Sequence, residues 1–221
     1  MTDFKNAVRK QESLLAPAER RCLHWLAERM PAGVNSDHLT LLGFFSMFVA
    51  GACYAAASVW RPAILLVAVC LAANWFGDSL DGTLARVRRR LRPRYGFYVD
   101  HMVDAFGTIF LVGGLGLSGY MSGSVALFVI VAYFLLSIDA YLATYTIGTF
   151  EISFWKFSPT ELRILLAIGN TWAFFRPEAN FAAGRFLFFD VAGTIAAAVM
   201  CSVALISAAR HTITLYRAER V

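Results

Sequence analysis

The strongest constraint on this chain is the length of its apolar segments. About 20 predominantly apolar residues suffice to carry a helix across a bilayer. Six stretches approach or exceed that length, at about 39–60, 62–85, 99–121, 125–150, 160–175 and 186–213, the fifth being short. Plausible breaks separate them: Arg61-Pro62, Ser122-Gly123-Ser124, Ser158-Pro159 with Thr160 and Glu161 behind it, and Arg176-Pro177. Charged residues make up 16% of the 221 and hydrophobic ones 58%, whereas a soluble domain is about 25% charged. The expectation is an all-α integral membrane protein of six transmembrane helices. It has one membrane domain, 38–221, and leaves no room for a second large soluble one. The polar first 30 residues are not read as a signal peptide.

Residues 1–37 form a separate N-terminal segment. Within it, Pro17–Met30 places Leu23, Trp25, Leu26 and Met30 among charges. This pattern predicts an amphipathic helix, either lying along the membrane surface or packed on the ends of the spans. Basic residues are distributed unevenly. With the N-terminus inside, Lys5, Arg9, Lys10, Arg20, Arg21, Arg29, Arg86, Arg88, Arg89, Arg90, Arg92, Arg94, Lys156, Arg163, Arg210, Arg217 and Arg220 share one side, leaving Arg61, Arg176 and Arg185 on the other. Excess Lys and Arg in short loops stays cytoplasmic. Both termini are therefore expected on the cytoplasmic side of a cytoplasmic (bacterial inner) membrane. The partners implied are membrane lipids, with no nucleic acid. Cys22, Cys53, Cys70 and Cys201 form no C-x-x-C pair and read as small apolar residues.

Four aspartates interrupt this apolar pattern: Asp78, Asp81, Asp100 and Asp104. A charge at membrane depth costs about 2.5–3.5 kcal/mol even on the mild insertion scale, and like charges repel. A divalent cation is the natural compensation. On a helix, Asp78, Asp81, Gly82, Ala85 and Arg86 fall within roughly 140° of one another. Asp100 and Asp104 are four apart and share a face. If the two helices are antiparallel neighbours, all four carboxylates meet at the cytoplasmic edge. Carboxylate oxygens suit Mg²⁺, Mn²⁺ or Ca²⁺, and paired ions recur in phosphoryl chemistry. Gly82 and Ala85 leave space on that face, and Arg86 is placed to meet a phosphate oxygen. The aspartates read alone also suit an ion pathway, so a divalent-cation transporter is the remote alternative. A lipid-binding scaffold without activity is a third reading, against which the intact aspartates argue.

The run D-S-L-D-G-T-L-A-R from Asp78, followed by G-F-Y-V-D-H-M-V-D from Gly96, resembles the signature of the CDP-alcohol phosphotransferases. All eight fixed positions are present across 27 residues, with nine residues between Arg86 and Gly96 where about eight are usual. The family's first span often opens on Pro-Asn and a following Thr. Here that segment reads Asn35-Ser36-Asp37-His38-Leu39-Thr40. The resemblance implies a membrane enzyme of phospholipid biosynthesis, a homodimer, that moves a substituted phosphate from a CDP-alcohol donor to a lipid or alcohol acceptor and releases CMP. It implies two divalent cations, Mg²⁺ first and Mn²⁺ as the alternative, held by Asp78, Asp81, Asp100 and Asp104. Asp104 is also implied as general base, and Gly82, Ala85 and Arg86 as CDP contacts.

The acceptor is less legible. His101 follows the third aspartate, resembling the D-H-x-x-D of choline and ethanolamine phosphotransferases, where that histidine is a candidate base. The alternative is that it faces a phosphate or caps the helix. Thr160-Glu161 resembles the same subgroup, with Glu161 meeting a cationic head group or simply complementing a helix dipole. These two features lean to a CDP-aminoalcohol donor and a lipid hydroxyl acceptor. The alternative is transfer from CDP-diacylglycerol to a small polar alcohol: glycerol phosphate, serine, inositol or inositol phosphate. Arg88, Arg89, Arg90, Arg92 and Arg94 fit an anionic acceptor or, more simply, anionic lipid. Asp139 is read either as a substrate contact or as the partner of an arginine. Asp190 is expected at the opposite interface, and Asn170 in an interhelical hydrogen bond.

Overall fold

A computed structural model describes residues 16–148, 159–181 and 184–219. Lys5, Arg9, Lys10, Lys156, Ser158 and Arg220 lie outside the described residues. A surface helix, α1 (Ala16–Arg29), precedes α2 (Ser36–Ala56), α3 (Ala63–Val87), α4 (Pro93–Leu117), α5 (Gly123–Thr146), α6 (Pro159–Phe175) and α7 (Phe188–Ala218). Between α6 and α7 lies an antiparallel hairpin, β1 (Glu178–Phe181) with β2 (Gly184–Leu187), pairing Glu178 with Leu187. Among the described residues this small hairpin is the one extended element of an otherwise helical fold, as expected. It is closed at its base by Phe188 N donating to Pro177 O at 2.9 Å.

The six apolar segments all become helices, but they do not all have the reach expected of a span. α2, α3, α5 and α7 are long and apolar enough to cross a membrane. α6 has 17 residues, about 25 Å of helix against a hydrocarbon core of about 30 Å. α4 has the length, but Asp100, His101 and Asp104 occupy its first half. α4 also begins at Pro93, six residues before the expected start, because proline suits the first helical turn. The arginine-rich connection is correspondingly short. α3 ends at Val87, and Arg89 takes a left-handed φ of 54° that reverses the chain.

α3 and α4 each pack on α2 through glycines at which the backbones nearly touch, and that fixes where the aspartates sit. A Cβ placed on Gly114 of α4 would lie 2.2 Å from Gly51 O of α2, and one on Gly51 would lie 2.2 Å from Phe110 O. At a separate stretch of α2, a Cβ on Gly77 of α3 would lie 2.5 Å from Leu39 O. Small residues let helix backbones approach this closely where apolar side chains have no preference between protein and lipid. Around the contacts, Ala50, Tyr54, Ile64, Val67, Leu71, Leu111 and Leu115 form the main core. At one end of it, Tyr54 donates to Asn170 Oδ1 at 2.7 Å, the interhelical bond expected of Asn170. Asp190 at the start of α7 accepts from Ser122 N at 2.6 Å, closing the N-terminus of α5.

A second cluster forms at the opposite end. Leu23 and Ala27 of α1 are buried with Leu39 of α2 and Leu80 and Leu84 of α3, while Trp25 stays exposed. α1 thus packs its apolar face against the ends of α2 and α3. Its polar anchor is Glu19, whose Oε1 accepts from Trp75 Nε1 at 2.7 Å and Thr160 Oγ1 at 2.6 Å. A Gly114→Ala substitution should lower stability by about 1–3 kcal/mol, because the new methyl meets backbone that cannot move aside. Gly113→Ala, whose methyl meets nothing within 4 Å, should be neutral or stabilising. Thermal unfolding in detergent distinguishes the two.

Candidate functional site

The signature residues occupy the last turns of α3 and the first turns of α4, joined by the short arginine connection. Helical periodicity gathers each set on one face, as the spacing requires. Asp81 is the innermost, 7% exposed and buried beside Leu80 and Leu84. Asp78 is partly covered, while Gly82, Arg86, Asp100 and Asp104 are exposed. The charge of Asp100 on α4 acts on Asp81 of α3, as does that of Asp78 one turn away on the same helix. Asp104 lies within electrostatic reach of Tyr133 and Tyr141 on α5.

Each carboxylate on α3 is fixed by a residue outside the signature. Asp81 Oδ2 accepts from Thr40 Oγ1 at 2.6 Å, and its Oδ1 accepts from Gly82 N. Ser36 Oγ donates to Asp81 O at 3.0 Å. These two hydroxyls come from the first turns of α2, where a capping box sets the helix start: Asn35 Oδ1 accepts from His38 N at 3.0 Å, and Asn35 N donates to His38 Nδ1 at 3.4 Å. Asp78 Oδ2 lies 2.6 Å from Arg163 Nη2 of α6. Arg163 Nε donates to Asn74 Oδ1 at 2.8 Å, and Asn74 Nδ2 donates to Gly43 O at 3.0 Å. Gly82 faces open space: a Cβ there would meet nothing within 4 Å.

The remaining candidates divide by location. His101 is packed between aromatic rings, 4.2 Å from Phe97 and edge-on to Tyr141 at 4.7 Å, with Nδ1 against Phe97 O. Arg86 donates to Thr83 Oγ1 at 3.2 Å. Ala85 is half-buried on the same helix, and Glu161 is half-buried in the first turn of α6, just ahead of Arg163. Two arginines of the connection have structural work. Arg88 donates to Met30 O at 2.9 Å and Pro31 O at 2.8 Å, closing the end of α1, and Arg92 pairs with Asp37. Asp139 partners neither an arginine nor the signature residues in the described contacts. It accepts from Ser207 Oγ at 2.5 Å and lies 3.2 Å from His211 Nδ1, tying α5 to α7.

A set of hard oxygen donors of one charge suits a divalent cation by its chemistry. Among the described residues, however, no three His, Cys, Asp or Glu side chains close into a ready-made ligand group. One cation is already in place: the guanidinium of Arg163. Neither Arg163 nor Asn74 is among the site residues that the sequence suggests, and Ser36 and Thr40 enter there only within the segment that opens the first span. The available signal was Arg163 itself, a basic residue near a helix N-terminus, where the dipole disfavours it, between Leu162 and Ile164.

No family model matches the chain. It is similar to the archaetidylinositol phosphate synthase of Methanothermobacter thermautotrophicus, 35% identical over 115 residues, which are 50% of this chain and 54% of that protein. It is also similar to the archaetidylinositol phosphate synthase of Pyrococcus horikoshii, 25% identical over 114 residues, 52% of this chain and 54% of that protein. The matched region thus spans about half the length of each relative.

Removing the hydroxyl that holds Asp81 should be felt in stability. Thr40→Val should cost about 1–3 kcal/mol by leaving a buried carboxylate oxygen short of a donor, and Thr40→Ser should recover most of it. Thermal unfolding of the two variants is the measurement.

Proposed function

We propose that the chain is a CDP-alcohol phosphotransferase and that it transfers a lipid-bearing phosphate from a CDP-activated lipid to a small phosphorylated polyol of the inositol phosphate kind. The complete eight-position signature, on two helices that bring Asp100 within electrostatic reach of Asp81, with Asp78 beside Asp81 on α3, carries the assignment to the family. The names of both relatives support the acceptor class over the aminoalcohol chemistry suggested by His101 and Glu161. The reading includes the six-span arrangement, with α4 and α6 completing the four longer helices, and a site facing the cytoplasm. It also includes assembly as a homodimer.

In the proposed reaction the acceptor hydroxyl oxygen forms a bond to the phosphorus that carries the lipid. The bond from that phosphorus to the oxygen of CMP breaks, and CMP leaves with the bonding electrons. The hydroxyl proton passes to a carboxylate. Asp104 is assigned that role: it is exposed on the face it shares with Asp100, whereas the ring of His101 is held by Phe97 and Tyr141. Asp78, Asp81, Asp100 and Asp104 would hold divalent cations, which when bound supply charge neutralisation for the diphosphate. Gly82 leaves the α3 backbone approachable by the nucleotide, and Arg86 supplies a guanidinium for a phosphate oxygen. Thr40 and Ser36 hold Asp81 in orientation.

Two measurements test this reading. CMP release should be seen with a CDP-lipid and inositol phosphate, and not with CDP-choline or CDP-ethanolamine and diacylglycerol. Turnover of the CDP-aminoalcohols alone would overturn the acceptor assignment. Asp81→Asn should abolish CMP release in protein that still folds. Asp104→Asn should lower the rate by about 10²–10⁴-fold, while His101→Asn should retain most of it. The reverse order would move the base to His101.

A further inference from the structure

The contacts of Arg163 have a consequence for how the carboxylates meet a metal. Its side chain is 14% exposed and that of Asp78 is 34% exposed, so the pair is largely withdrawn from water. The guanidinium is aimed by more than the ion pair. Nε is fixed by Asn74 Oδ1 at 2.8 Å, and Asn74, one helical turn before Asp78 and 5% exposed, is itself fixed to Gly43 O at 3.0 Å. A chain of hydrogen bonds therefore runs from the α2 backbone through α3 to α6 and ends on Asp78. At its far end Asp81 feels the charges of Asp78 and Asp100. A site that concentrates negative charge in this way needs a positive one, and in this structure a side chain provides it.

We propose that Arg163 is a built-in cation that stands in for a divalent ion at Asp78 when the protein carries none, and that it sets how tightly such an ion binds. The inference rests on the metal reading given above. A divalent cation and the guanidinium compete for one carboxylate and repel each other, so each weakens the other's hold by the same factor, as thermodynamic linkage requires. Arg163 keeps the metal-free protein folded around its carboxylates and holds metal affinity down. A ligand that brings negative charge to the site lifts this opposition, because the guanidinium then has a second anion to face. Arg163 is accordingly a positioning residue.

The test is Mn²⁺ binding to the full chain in detergent, followed by electron paramagnetic resonance, with thermal unfolding measured in parallel. Arg163→Gln should bind Mn²⁺ more tightly than the unsubstituted protein, by roughly 5- to 150-fold if the coupling is of ordinary size. Without metal the same variant should melt earlier, and Mn²⁺ should raise its melting temperature by more than it raises that of the unsubstituted protein. Arg163→Lys, which keeps the charge, should bring Mn²⁺ affinity back toward the original. In the Asp78→Asn background, Arg163→Gln should no longer tighten binding. If Arg163→Gln does not fold, Asn74→Ala carries the test, since releasing Nε loosens the guanidinium and should also tighten Mn²⁺. Unchanged or weaker Mn²⁺ binding in these variants, with clear binding to the unsubstituted protein, would overturn the role of Arg163 and leave the metal reading standing. Absence of Mn²⁺ binding in every form would overturn both.

Discussion

The arrangement depends on one constraint: like-charged carboxylates must be held together at one end of an apolar helical assembly. Asp81 is buried with the charges of Asp78 and Asp100 near it, and isolated carboxylates in such surroundings are strongly disfavoured. The fold meets this cost with directed partners. Thr40 and Gly82 N occupy the two oxygens of Asp81, and Arg163 takes Asp78. Each partner comes from a different direction, so the carboxylates stay where they are only while α2, α3 and α6 stay packed.

The scaffold for that packing is built from absent side chains. Gly51 with Gly114, and Gly77 with the backbone at Leu39 and Gly43, bring α4 and α3 against two separate stretches of α2. Backbone contact of this kind fixes the register between helices more tightly than interdigitated leucines do, because no rotamer change can absorb a shift. The hydroxyls of α2 therefore arrive opposite Asp81 with little freedom. α1 adds a brace at the same end, where Glu19 links α3 to α6 through Trp75 and Thr160. Arg88 fastens the α3–α4 connection to the end of α1.

Much of this was legible in the sequence, and for identifiable reasons. Each apolar segment holds a helix, with ends displaced by up to six residues, because length and composition mark a span better than its boundaries. The clustering of Asp78, Asp81, Gly82 and Arg86 followed from helical periodicity. Asn170 and Asp190 behaved as polar groups in apolar surroundings must, by finding partners on other helices. α4 starts earlier than its apolar segment because Pro93, flanked by arginines that resemble a loop, is compatible with a first helical turn. The hairpin between α6 and α7 is not legible in the sequence because its four-residue strands are too short to show alternation. Asp139 had two readings, and its partners proved to be Ser207 and His211 of α7.

By itself, the sequence determined that the chain is helical and apolar, and that four carboxylates end up on two helix faces joined by a short basic connection. Those properties follow from local periodicity and from transfer of side chains between water and lipid. The tertiary structure decided what each carboxylate touches. Thr40 reaches Asp81 across 41 positions of sequence, and Arg163 reaches Asp78 across 85. No periodicity extends over such separations. Contacts of that range exist only once glycine-mediated packing has fixed how far apart the helices lie and how they are turned toward one another.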